Sequence, residues 1–74
     1  MHIDVELFGQ LQPDMQRRTS FTVDGPISVK EVADQIGVNI EEVGLIVIDG
    51  VQSEVDDLVS PGSRLCFFPP MTGG

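Results

Sequence analysis

The sequence predicts an α+β domain: a mixed sheet of four to five strands, one amphipathic helix packed across it, and a tail beyond the last strand. Three observations predict it. Apolar and polar residues alternate from Ile3 to Phe8 and again from Arg64 to Phe68, the period of a half-buried strand. Val29, Val32, Ala33 and Ile36 recur at i, i+3, i+4 and i+7, the period of one helix face. After Phe68 the chain reads Pro69-Pro70-Met71-Thr72-Gly73-Gly74, and neither proline nitrogen can donate to a strand ladder.

Taken in order, Ile3–Phe8 predicts a first strand with Ile3, Val5 and Leu7 on one face and Asp4, Glu6 and Phe8 on the other. Gly9 to Arg18, with Pro13, Asp14 and several glutamines, reads as a loop, and the β-branched and aromatic content of Thr19–Val23 as a second strand. Ser28 followed three residues later by Glu31 forms a capping box, and Gly37 supplies a left-handed stop, so a helix of about ten residues is expected between them. Asn39–Glu42 suits a short helical turn. Leu45–Ile48 reads as a compact apolar strand ended by the Asp49-Gly50 turn, with a brief strand at Val51–Ser53. Asp56–Ser60 reads as irregular and Pro61-Gly62 as a turn. The last strand follows, with Leu65 and Phe67 inward and Cys66 and Phe68 outward.

Sheet and helix have one apolar face each, so two packed layers bury both. Strand, strand, helix, strand, short strand, strand is the β-grasp order. A split βαβ fold would require a second full helix, and only the turn at 39–42 is available for it. The expected organisation is a β-grasp domain over residues 1–68 and an extended, flexible tail over 69–74.

A 74-residue chain buries only about 60% of its unfolded surface, which leaves little room for an internal cavity and directs function to the surface or a terminus. With 12 Asp+Glu against 4 Lys+Arg, it lacks the clustered cations that phosphate-backbone binding needs, and a basic protein partner suits it better. One cysteine, Cys66, and one histidine, His2, make neither an internal disulfide nor a metal-ligand spacing. The opening 30 residues contain Asp4, Glu6 and Asp14 and no long apolar run, so neither a signal peptide nor a membrane span is expected and the cytoplasm is.

Two prolines stiffen the root of the tail and two glycines leave its tip without a β-carbon, so the tip suits a narrow groove in another protein. A terminal carboxylate at Gly74 is inert toward nucleophiles until activated. Adenylation by ATP on a partner enzyme, with Mg²⁺ and cationic groups stabilising the developing charge, creates a leaving group. Sulfur attack then gives a thiocarboxylate, and amine attack an isopeptide.

The stretch Phe67-Phe68-Pro69-Pro70-Met71-Thr72-Gly73-Gly74 resembles the C-terminal signature of the MoaD/ThiS-type sulfur carriers, and among them the molybdopterin synthase small subunits. Ile3-Asp4-Val5-Glu6-Leu7-Phe8-Gly9 is similar to that family's first strand and Ile48-Asp49-Gly50 to its middle turn. The resemblance implies a ubiquitin-like carrier that is not itself an enzyme and binds no cofactor. Gly74 is then the adenylated, sulfur-carrying residue, and Gly73, Thr72 and Met71 thread into the partner. The implied partners are an adenylyltransferase related to ubiquitin-activating enzymes, which holds ATP and Mg²⁺, a sulfur donor protein, and the molybdopterin synthase large subunit or another sulfur acceptor. Pro61-Gly62-Ser63 stands where the family carries Asp-Gly-Asp, and the helix-to-strand segment is short. Thiamin synthesis, other sulfur transfers and protein modification through Gly74 therefore stay open beside molybdopterin.

Phe8 and Phe68 fall on the outward face of neighbouring first and last strands, which marks them as one partner-binding surface. Cys66 lacks an adjacent base and reads as packing, and Met71 suits an anchor in a partner groove. Lys30 is the only lysine. Arg17-Arg18, Arg64, Glu41-Glu42 and Asp56-Asp57 read as solvated surface.

Overall fold

The computed structural model describes residues 1–8 and 18–70. The expected loop, Gly9–Arg18, lies outside the described residues except for Arg18, which opens the second strand instead, and tail residues 71–74 lie outside them too. Chain order is β1 (His2–Leu7), β2 (Arg18–Thr22), β3 (Ile27–Ser28), α1 (Val29–Ile36), a 3₁₀ turn (Ile40–Glu42), β4 (Leu45–Ile48), β5 (Val51–Ser53), β6 (Leu58–Val59) and β7 (Arg64–Phe68). Five strands form one sheet in the order β2-β1-β7-β4-β5, and β3 and β6 form a separate two-stranded ribbon. The sheet is mixed because β1 and β7 run parallel, while β1–β2, β4–β7 and β4–β5 are antiparallel. This is the predicted β-grasp architecture.

Alternation decides which side chains the sheet buries. Ile3, Val5, Leu7, Leu65 and Phe67 point inward and are almost wholly removed from water. They meet Val29, Val32 and Ala33 of α1, and each large side chain so buried stabilises the fold by about 1.5–3 kcal/mol.

The helix begins and ends where its caps dictate. Ser28 Oγ accepts from the Glu31 amide at 3.1 Å. At the other end Gly37 takes φ 84°, and the Val38 amide donates to the Ala33 carbonyl at 2.8 Å, closing a Schellman motif over two buried side chains. The helix is eight residues long, slightly shorter than expected. Asp49 and Gly50 both have positive φ, 50° and 83°, as a two-residue type I′ hairpin between β4 and β5 requires.

The segment read as irregular, Asp56–Ser60, is corrected by the structure. It contains β6, whose Val59 pairs with Ile27 and is fully buried. The reason lies in the helix N-terminus, where the first amides have no partner within the helix. The Val29 and Lys30 amides donate instead to the carbonyls of Asp57 and Val55, each at 3.0 Å. A turn in which Asp57 Oδ2 accepts from the Glu54 amide at 2.8 Å presents those carbonyls.

Candidate functional site

The sheet face away from the helix carries the side chains that alternate out of the core: Glu6, Phe8, Arg18, Leu45, Val47, Arg64, Cys66 and Phe68. Register brings the apolar ones together. Leu45 is opposite Phe68, and Val47 is opposite Cys66. Phe8 follows β1 and its amide donates to the Phe67 carbonyl at 3.0 Å, which carries the parallel ladder one residue further. The Phe8 and Phe68 rings are consequently stacked, with centroids 4.4 Å apart and planes 7° from parallel. Both residues are half-buried and Leu45 is 36% exposed, so this is an apolar surface and not part of the core.

A charged cluster borders the aromatic pair. Glu6 is directly opposite Arg18 in the β1–β2 register, with Arg18 Nε 3.4 Å from Glu6 Oε1. Arg64 pairs with the same carboxylate oxygen through its Nη2. The hydrogen bond from Arg64, aided by both cations and opposed by partial burial, holds the Glu6 carboxyl below its ordinary value. Glu6 is only 7% exposed, whereas the side chains of Arg18 and Arg64 remain exposed. Arg18 and Arg64 are exposed, as expected, and what their sequence context did not indicate is that both pair with Glu6; the signal for this was the cross-strand register, which only the assembled sheet supplies.

Cys66 sits between these regions, paired in register with Glu6 on one side and Val47 on the other. Burial pushes its thiol above the ordinary value, the opposite of what a nucleophilic cysteine needs. Among the described residues no cluster of three or more His, Cys, Asp or Glu side chains could hold a metal. A groove of about 470 Å³ between α1 and the 3₁₀ turn, lined by Lys30, Glu31, Asp34, Val38 and Asn39 among others, belongs to the helix layer. No helix among the described residues is long and apolar enough to cross a membrane.

The tail root adjoins the aromatic pair. β7 is the middle strand of the sheet, and it ends at Phe68, whose carbonyl accepts from the Gly44 amide at 2.8 Å. Pro69 and Pro70 follow directly. Gly74, Gly73, Thr72 and Met71, the residues singled out for carrying and threading, lie outside the described residues.

The five-stranded mixed sheet with one helix across it and an outward aromatic pair beside its C-terminal strand defines a ubiquitin-like domain of the β-grasp class. The model of the Mut7-C ubiquitin family matches residues 1–72, and the chain belongs to that family. Solved structures share the fold. The crystal structure of SAMP1 from Haloferax volcanii superposes with a TM-score of 0.75 at 21% identity over 100% of both chains. A crystal structure of H. volcanii small archaeal modifier protein 1 gives 0.75 at 20% identity, covering 95% of this chain and 98% of the other. The solution structure of the H. volcanii HVO 2177 protein gives 0.73 at 16% identity over 100% of this chain and 87% of the other. No curated protein matches the sequence.

Proposed function

We propose that this chain is a sulfur carrier whose Gly74 carboxylate is adenylated by a partner activating enzyme and converted to a thiocarboxylate, with molybdopterin synthesis as the destination. The observation that carries the reading is the continuity of the apolar outer face with the diglycine tail. The stacked Phe8–Phe68 pair stands where β7 ends, and the Pro-Pro-Met-Thr-Gly-Gly run begins at the next residue. A partner docked on that face has the Pro69-Pro70 root of the tail beside it.

The chemistry proceeds in two displacements. A carboxylate oxygen of Gly74 attacks the α-phosphorus of ATP and releases pyrophosphate, giving an acyl-adenylate. Hydrosulfide then attacks the carbonyl carbon and AMP leaves, so that sulfur replaces one oxygen. Mg²⁺ and cations stabilising the phosphates belong to the activating enzyme. This chain is a co-substrate, and the absence of a β-carbon at Gly74 keeps its carbonyl open to both attacks.

A second reading is a protein modifier joined to lysines through Gly74. It is favoured by the likeness to structures of small archaeal modifier protein 1. Delivery of sulfur to thiamin or another product uses the same first steps. The readings part at the acceptor: sulfur donation regenerates the free carboxylate, whereas conjugation leaves an isopeptide.

Intact mass spectrometry after incubation with ATP, Mg²⁺, an activating enzyme and sulfide tests the proposal, with a chain lacking Gly73-Gly74 as control. The expected result is exchange of one oxygen for one sulfur in the full-length chain alone. No exchange, with an activating enzyme competent on another carrier, would refute it. Adducts on other proteins in place of sulfur release would establish the modifier.

A further inference from the structure

Gly44 immediately precedes β4, and its amide bond to the Phe68 carbonyl adds a rung beyond the Leu45–Phe68 pair. The positive-φ glycines among the described residues are Gly37, Gly50 and Gly62, so the backbone at Gly44 is one that a side chain tolerates. The tail root is what excludes a side chain. A methyl group on Gly44 would stand 2.7 Å from Pro70 N and 2.9 Å from the Pro69 carbonyl oxygen, and nearer still to Pro70 Cα. These are backbone atoms and cannot rotate aside as the end of a side chain can. A methyl group on Gly25, by contrast, meets nothing within 4 Å.

We infer that Gly44 is a positioning residue for the root of the C-terminal tail: its bare Cα lets Pro69-Pro70 lie against the start of β4 and so sets the direction of the chain at Pro70. Three successive residues are constrained there. The hydrogen bond fixes the Phe68 carbonyl, the proline rings fix two φ angles, and contact with Gly44 fixes the plane in which they lie. The functional consequence rests on the carrier reading. A misplacement of about 1 Å at a reacting atom costs on the order of 10²-fold in rate, so the departure angle bears on adenylation even though Gly44 touches no substrate.

Two measurements on Gly44→Ala, with Gly25→Ala as control, test the inference. The first attaches a nitroxide to the thiol introduced by Thr72→Cys in a Cys66→Ser background and maps relaxation enhancement over the domain amides. Gly44→Ala should move the affected amides, and Gly25→Ala should not. The second follows adenylation by the activating enzyme. Gly44→Ala should lower kcat by about tenfold or more and leave KM within about twofold, since the docking face is untouched. An unchanged relaxation map, or unchanged kcat alongside a moved map, overturns the inference. If the unaltered chain is not adenylated by a competent enzyme, the carrier reading fails by itself while the relaxation map still decides whether Gly44 anchors the tail. Should Gly44→Ala not fold, the Pro69→Gly/Pro70→Gly double variant releases the root with the Gly44–Phe68 hydrogen bond intact. A map like that of the unaltered chain would then overturn the inference, and a dispersed map supports it.

Discussion

Glu6 on β1 and Arg64 on β7 form an ion pair across the parallel seam of the sheet, over a carboxylate side chain only 9% exposed. The pairing lowers the Glu6 pKa in the folded state from an ordinary 4.5. Its stabilisation is therefore fully present above that ordinary value and is lost as pH falls through the lower folded one. Thermal unfolding followed from neutral pH downward should show the native chain losing stability in that acid window. Glu6→Gln should be less stable at neutral pH and show a shallower acid decline. Parallel profiles for the two would show that the pair contributes nothing to pH dependence.

Phe68→Ala should separate stability from recognition. The stacked pair contributes roughly 0.5–1.5 kcal/mol beyond the area it buries, so a loss of about 1–2 kcal/mol in urea unfolding is expected. Affinity for an activating enzyme, measured by calorimetry, should fall by about tenfold or more, as docking on the aromatic face under the proposed function requires. Unaltered affinity in a folded variant would remove the aromatic face from the partner surface.

Neighbouring residues of β6 should respond oppositely to truncation. Val59 is fully buried while Leu58 is 61% exposed. Val59→Ala should cost roughly 2 kcal/mol through lost burial and the cavity left behind, whereas Leu58→Ala should fall within about 0.5 kcal/mol of the native chain. Similar losses from both, by chemical denaturation, would contradict the ribbon pairing.

Cys66 should be a sluggish thiol. Its elevated pKa and partial burial predict alkylation by iodoacetamide at neutral pH roughly tenfold or more slower than for free cysteine, with Cys66→Ala still accepting sulfur at Gly74. Rapid alkylation of the folded protein would contradict the first expectation, and loss of sulfur loading in the variant the second.

Most of the architecture was legible because it rests on local signals. Alternation in β1 and β7, the Ser28 cap, the Gly37 stop and the Asp49-Gly50 hairpin each act within a few residues, and each element formed where its signal placed it. What was not legible depends on partners distant in sequence. β6 is two residues long and exists because Asp57 and Val55 satisfy the amides that open α1. Glu6, Arg18 and Arg64 look like ordinary surface charges until parallel and antiparallel registers bring them together. The stacking of Phe8 on Phe68 falls between these cases, since alternation assigned the face and only the β1–β7 seam set the rings 4.4 Å apart. Gly44 carried no signal: nothing nearby in sequence indicates that two prolines lie across it.

The placement of β7 between β1 and β4 has a mechanical consequence. Tension applied to the C-terminus enters the middle strand along its own axis, so hydrogen bonds on both flanks resist it together in shear instead of opening one at a time from a free edge. A pull on the chain beyond Phe68 thus meets the β1 and β4 ladders at once, and the domain behind it holds its shape.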